Sequence, residues 1–409
     1  MPSKSELESY PGGERNMQLL PAVLIGGPPH SGKSVLTYHL TRALRQRGVA
    51  HYVLRAFPDG EGDWFYEADM ELVRQLRVRG QGSQGWIDRV GRDIDRRHLP
   101  LIVDVGGRPT DWQAALFGHC THAILLTPDE RSQRLWRDYA DRHNLPLLAD
   151  LRSALNQPDS IFEHQPVLRG RIGGLERAGA RLGITFEALV EALAALFAYD
   201  PSELRALHLT HAPADLVIEL EQLGRSLAAG QPWTGWQPEQ LRTVLTYAPA
   251  HTPLAIYERG PNWLYAALAV HSLPRPLYQF DPRLGWITAP DLKVVNEPLQ
   301  TIDQPGAAEV SPTLALQITP GDGYLHLAAS LPHDYLDYDE VDNITLPALP
   351  EGMGVILSGR LPLWLYTGLA RAYHAAPWLA VYQPQMGNHA VVIATRTRQR
   401  RIGQRISLG

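Results

Sequence analysis

Cysteine is almost absent from this sequence: Cys120 stands alone among 409 residues, so no disulfide can form within the chain and no cluster of thiolates can hold a metal. Lysine is nearly as scarce. Lys4, Lys33 and Lys293 are the three among 38 basic residues; the rest are arginines, suited to planar, bidentate contacts with phosphate or carboxylate. No window stays apolar for about 18 residues, and the polar start, with Lys4, Glu6, Glu8, Glu14 and Arg15, lacks the apolar stretch of a signal peptide. The expectation is a cytoplasmic protein that is not secreted and does not span a membrane. A formal net charge of -5 gives no general affinity for a polyanion, so sequence-specific DNA is not an expected partner, although a local anion site is allowed. With 44% hydrophobic and 20% charged residues the chain is neither a fibre nor disordered, and its length suits two or three domains of roughly 150 residues.

What is there begins with a loop. Pro21 to Gly26 is an apolar run of strand length, followed by Gly27 Pro28 Pro29 His30 Ser31 Gly32 Lys33 Ser34 and then by Leu36, Leu40, Ala43 and Leu44 at helical spacing up to Gly48. This is GxxxxGK[ST] in its strand, loop, helix setting. Backbone N–H groups of such a loop can wrap a phosphate, and the helix adds its unpaired N–H groups and positive end. Gly27, Gly32 and Lys33 would hold ATP, with Lys33 on the outer phosphates, and the Ser34 hydroxyl would reach Mg²⁺. A glycine turn without a ligand is the plainer account.

Further strands are expected at His51 to Ala56, Leu99 to Val105, Ala123 to Thr127 and Leu145 to Ala149, and a helix over Thr185 to Phe197. Alternation of strands and helices predicts a doubly wound α/β domain over residues 1–200. Asp104, at the carboxyl end of its strand, would hold Mg²⁺ or its water, or else cap the following turn. Asp59, Glu61 and Asp63 on a glycine-rich turn divide between function and plain surface. Arg131, Arg134 and Arg137, spaced by three, could reach a phosphate across a subunit boundary or form a solvated face. Gln157 to Gly183, rich in Gly and Arg, reads as a lid or linker.

The remainder repeats itself. Arg259 Gly260 Pro261 Asn262 Trp263 Leu264 Tyr265 Ala266 Ala267 Leu268 Ala269 matches the eleven residues from Arg360 to Ala370 at seven positions, 101 residues apart. Each copy follows an apolar strand and leads through a second strand into Phe280 Asp281 Pro282 Arg283 Leu284 Gly285 or Tyr382 Gln383 Pro384 Gln385 Met386 Gly387. Two related small α+β units are expected, at 201–300 and 301–409, paired about a pseudo-twofold axis. A proline-started helix flanked by Ser358, Gly359 and Arg360 makes an anion seat. His333, beside Asp334 and Asp337, would be an acid or base near neutral pH or a structural hydrogen-bonding group. Arg396, Arg398, Arg400, Arg401 and Arg405 form a basic strip that could close over phosphates or stay a soluble tail.

ILSGRLPLWLY followed by AVYQPQMG resembles the signature of the CRISPR-associated ring nucleases that degrade cyclic tetra-adenylate, in the form fused to a P-loop ATPase-like domain. The resemblance runs over roughly Leu314 to Thr395 and, in degenerate form, over Leu209 to Pro290. It implies a homo-oligomer that binds a ring of four adenylates between subunits and hydrolyses its phosphodiester bonds, with stimulation by Mn²⁺. The family's phosphate-binding turn matches Ser358, Gly359 and Arg360, of which the second region keeps Arg259. Its metal-assisting turn matches Asp281, Pro282 and Arg283, with Asp281 as the metal ligand, but reads Gln383, Pro384 and Gln385 in the third region. The family histidine falls near His374, or near His271 in the other copy.

Neither copy keeps the full set, so either a composite site is expected, with phosphate donors from one unit and Asp281 and Arg283 from the other, or the second region is a decayed copy kept only for packing. Positioning of a ribose 2′-hydroxyl in line with the phosphorus would supply much of the rate, and cationic donors would stabilise the phosphoryl oxygens. A phosphodiesterase with an attached nucleotide-binding unit is the leading reading. A cyclic-oligoadenylate sensor that regulates an ATPase or kinase, and a scaffold that uses both ligands only to assemble, are the alternatives.

Overall fold

The computed structural model describes residues 20–56, 84–106, 114–175, 182–298, 306–311, 314–331 and 336–408. The chain is of the mixed α/β class, as read from the sequence. Its first sheet contains β1 (Ala22–Gly26), β2 (Tyr52–Ala56), β3 (Leu101–Val105), β4 (His122–Thr127), β5 (Leu147–Ala154), β6 (Ser160–Glu163) and β7 (Leu168–Gly173). The order is β2-β3-β1-β4-β5-β7-β6, parallel throughout except for the edge strand β6. Helices α1 (Lys33–Gln46), α2 (Gln84–Asp95), α3 (Glu130–Arg142) and α4 (Ile184–Leu196) cover it. Leu36, Leu40 and Leu44 of α1 pack with Phe186, Leu189 and Leu193 of α4 on one face. Ile87, Val90 and Ile94 of α2 pack with Trp136 of α3 on the other. Strands buried on both faces need apolar side chains in both directions, which is why they read as continuous apolar runs.

The segment expected as a lid or linker, Gln157 to Gly183, departs from that reading: it supplies β6 and β7. Leu168, Gly170 and Ile172 are buried while Arg169 is exposed, a period of two that glycine and arginine disguise in the sequence.

Beyond it come α5 (Pro201–Thr210), β8 (Val217–Glu219), α6 (Leu220–Leu227), α7 (Leu241–Tyr247), β9 (Leu254–Tyr257), α8 (Asn262–Ser272), β10 (Leu277–Asp281) and β11 (Gly285–Thr288). They are followed by β12 (Lys293–Pro298), β13 (Gly306–Ser311), β14 (Leu314–Gly321), β15 (Tyr324–Ser330), β16 (Thr345–Ala348), β17 (Gly354–Gly359), α9 (Leu363–Ala372), β18 (Trp378–Gln383), β19 (His389–Thr395) and β20 (Arg405–Ser407).

The repeated sequences share one topology. β8, β9 and β10 run parallel and β11 antiparallel; β15, β17 and β18 run parallel and β19 antiparallel. α8 and α9 are the matching crossovers. They pack against each other, so α8 is enclosed by its own sheet and by its counterpart, and residues Trp263 to Ala269 are at most 1% exposed. That is why its sequence is apolar on every side. Arg371 of α9 closes the contact: its guanidinium donates to the carbonyls of Ala269 (3.2 Å) and Arg275 (3.0 Å) and to the Ser272 hydroxyl (3.2 Å), a cation at the carboxyl end of α8. One apolar cluster runs through both copies, and β12 pairs with β16 across residue 300. No helix among the described residues is long and apolar enough to cross a membrane.

Candidate functional site

Two places in the fold offer anion-binding geometry. The first is the loop after β1, whose neighbours β3 and β4 lead away in opposite directions, so a crevice opens at its carboxyl end. Gly27 has φ +157°, and a Cβ there would stand 2.0 Å from the carbonyl oxygen of Leu126, so glycine is required. Gly32 precedes α1 in the left-handed conformation, and no side chain among the described residues caps the helix, so its first N–H groups are available to a ligand. The Ser31 hydroxyl is buried in the loop without a hydrogen-bond partner among the described residues, a cost that a bound acceptor would relieve.

Lys33 is buried and folds over the loop, its ammonium donating to the carbonyls of Gly27 (2.7 Å) and Pro28 (3.0 Å). Burial lowers its pKa, and the charge of Asp104 pulls the other way. Asp104 is buried in β3, in register with Ile25 of β1, and Ser34 is exposed on the first turn of α1. Gly27, Gly32, Lys33, Ser34 and Asp104 are thus gathered at one strand end. Asp59, Glu61 and Asp63 lie outside the described residues. Arg137 pairs with the buried Asp150, whereas Arg134 is exposed and pairs with Glu130 at 3.5 Å within its own helix.

The second place is the turn from β17 to α9. Gly359 has φ +140°, and a Cβ on it would lie 2.0 Å from the carbonyl oxygen of Ala329, so only glycine lets β17 approach β15 here. Ser358 is buried beside it and Arg360 half-buried after it. His326 of β15, which no sequence motif singles out, meets Ser358 with Nε2 and Oγ 2.7 Å apart. Its one visible sign is a histidine in an otherwise apolar strand. The second copy differs at the same turn. Glu258 takes the place of Gly359 at φ +71°, and its carboxylate accepts from the backbone N–H groups of Glu221 (2.6 Å) and Gln222 (3.1 Å) at the start of α6. Burial raises its pKa. Arg259 donates to the His51 carbonyl at 3.1 Å. The chain's own groups occupy that turn.

Asp281 and Arg283 are brought together, but not with Ser358. The Asp281 carboxylate accepts from the backbone N–H groups of Arg283 (2.8 Å) and Leu284 (3.3 Å), and the buried Arg283 lies 3.5 Å from Asp93 of α2. They hold the β10–β11 hairpin to α2, and within the chain the two residues do not meet the Ser358 turn. Among the described residues no three of His, Cys, Asp and Glu cluster closely enough to share a metal. His374 lies just past the carboxyl end of α9, its Nδ1 2.6 Å from the Arg371 carbonyl. Ser358 precedes the other end, and ten residues of helix, about 15 Å, separate them. His271 likewise sits at the end of α8, 2.7 Å from the Ala248 carbonyl. His333 lies outside the described residues. Of the basic strip, Arg400 stacks on Trp378 and Arg405 pairs with Glu239 at 3.1 Å.

Residues 329–407, which contain the Ser358 to Arg360 turn, match the family model described as CRISPR-associated protein (Cas_csx3). An uncharacterized protein of Aquifex aeolicus (strain VF5) is 37% identical over 49 residues, which is 12% of this chain and 43% of that relative. The chain therefore spans less than half the length of the curated relative it matches. The carboxyl-terminal part of the chain is similar to a CRISPR-associated protein, and a CRISPR-related role is supported.

Proposed function

We propose that the protein is a phosphodiesterase that opens cyclic tetra-adenylate in type III CRISPR defence, with a P-loop nucleotide-binding unit at its amino-terminal side. The observation that carries this reading is the Ser358-Gly359-Arg360 turn inside the segment similar to a CRISPR-associated protein. It places a hydroxyl, a glycine backbone and a guanidinium at the start of a buried helix, a combination suited to a phosphodiester oxygen. Two or more copies of the chain assembling around the ring would supply the remaining contacts, since the second copy's turn is filled by Glu258.

ATP with Mg²⁺ is the ligand proposed for the loop after β1. The Ser31 hydroxyl and the start of α1, neither satisfied by a side chain among the described residues, fit phosphates together with the Gly27 cradle. Lys33 would exchange its loop carbonyls for phosphate oxygens, while Ser34 and Asp104 would lie on the magnesium side. The metal, when bound, neutralises charge on the outer phosphates.

Incubating labelled cyclic tetra-adenylate with the full chain, with and without ATP, tests the proposal: linear products support it and an intact ring refutes it. A second reading, in which the ring regulates nucleotide turnover, draws on α2, whose Arg89 pairs with Glu340 at 2.7 Å and Arg92 with Asp337 at 3.3 Å. An intact ring with accelerated ATP hydrolysis would favour it.

A further inference from the structure

β15 alternates strictly. Leu325, Leu327 and Ala329 enter the core that carries α8 and α9, so Tyr324, His326 and Ala328 point to the opposite face of the sheet. On β17, Val355 and Leu357 point inward and Ile356 and Ser358 outward. The parallel register sets His326 beside Ile356 and Ala328 beside Ser358. The imidazole therefore reaches diagonally to the hydroxyl, at 2.7 Å. A histidine on a partly open face, aimed at a buried serine that adjoins an arginine turn, has the geometry of a proton acceptor behind a hydroxyl.

Resting on the proposed ring-opening function, we propose that His326 acts through Ser358 as the acceptor of the proton released when a ribose 2′-hydroxyl of the bound ring attacks its neighbouring phosphorus. The O2′–P bond forms and the P–O5′ bond breaks. The 2′-hydroxyl proton passes to Ser358 Oγ as the Ser358 proton passes to His326 Nε2. The leaving O5′ takes a proton from water, the hydroxide so formed takes up the proton held by His326, and the strand ends as a 2′,3′-cyclic phosphate and a 5′-hydroxyl. Arg360, adjoining the same turn, balances charge on the phosphoryl oxygens. Both metal-turn positions of this copy are glutamines, Gln383 and Gln385, which hydrogen-bond to each other and offer no base.

Burial lowers the His326 pKa and is its one resolved cause, so the ring is neutral near pH 7 and able to accept. The groups facing it among the described residues are Thr319 from β14, Ile356 and Ser358 from β17, and the phenols of Tyr324 on its own strand and Tyr382 beyond Ser358. None of these carries a charge at neutral pH.

Two measurements on the full chain test the pair. Long-range ¹H–¹⁵N spectra should show Nε2 of His326 unprotonated at pH 7, with a titration midpoint below 6.5 that rises in Ser358→Ala as the hydrogen bond to the neutral ring is lost. A protonated Nε2 at pH 7, or a midpoint indifferent to Ser358→Ala, would overturn the relay. Single-turnover cleavage of labelled cyclic tetra-adenylate should lose rate on the acid side with the same midpoint. His326→Gln should be about 100-fold to 10,000-fold slower and flat across that range, with ring affinity within about twofold of wild type. Wild-type cleavage with the acid limb intact in His326→Gln defeats the relay alone. No cleavage by wild type defeats the ring-opening function and the relay with it.

Discussion

The Tyr366 hydroxyl donates to the Gly359 carbonyl at 2.5 Å, tying α9 back to the strand end that precedes it. Tyr265 does the same to Glu258 at 2.6 Å, 101 residues earlier. The repeated tyrosine thus holds both turns in one shape, and a glycine at one and a glutamate at the other decide which is open. Tyr366→Phe should cost about 0.5 to 1.5 kcal/mol in urea unfolding. Gly359→Ala, which forces a Cβ onto the Ala329 carbonyl, should cost about 1 to 3 kcal/mol. Equal stability of the alanine variant would mean that β15 and β17 are less closely apposed.

Arg283 ties the β10–β11 hairpin to α2. It is buried against Asp93 and Asp281, so Arg283→Ala leaves buried carboxylates uncompensated and should destabilise the chain by about 3 to 5 kcal/mol. Calorimetric unfolding checks this, and a melting temperature within a degree of wild type would contradict it.

Lys33→Ala should weaken ATP binding at least tenfold, because the loop loses its one ammonium. Isothermal titration measures it. An unchanged dissociation constant would place the nucleotide elsewhere or nowhere.

Stability should depend on pH through His208. It is buried between the first and second sheets, bonded to Tyr257 Oη (2.7 Å) and the His98 carbonyl (3.0 Å), and burial pushes its pKa down to about 4, the His98 charge adding to the effect and the bond to the His98 carbonyl opposing it. A depressed folded-state pKa means that the unfolded chain binds the proton first as pH falls. The contribution is whole above about 6.5 and is lost between about 6.5 and 4, with a slope near 1.4 kcal/mol per pH unit. Urea midpoints at pH 7 and pH 5 in wild type and His208→Gln should differ in that dependence. Parallel curves would contradict it.

The loop after β1 was legible because its conformation demands glycine at fixed positions and the flanking apolar runs give strand and helix directly. The repeat was legible because Trp263 and Trp364, Pro261 and Pro362, and Tyr265 and Tyr366 each do the same job in each copy. Pairings made by register were not. His326 is 32 residues from Ser358 and meets it only through the β15–β17 alignment. The burial of Arg283 depends on where α2 docks, and the filling of the second turn depends on a carboxylate reaching α6, 37 residues away. His374 falls near a motif position, and the crossover geometry carries it to the far end of its helix.

On the proposed ring-opening function, the ring's phosphates sit at the Ser358-Gly359-Arg360 turn and not at its counterpart. Titration of cyclic tetra-adenylate into wild type, Arg360→Ala and Arg259→Ala tests it most directly. Loss of a charge-assisted donor should weaken binding by about 1.5 to 3 kcal/mol in Arg360→Ala, whereas Arg259→Ala, whose guanidinium serves the His51 carbonyl, should bind as wild type does. Wild-type affinity in Arg360→Ala, or an equal loss in both variants, would contradict the account.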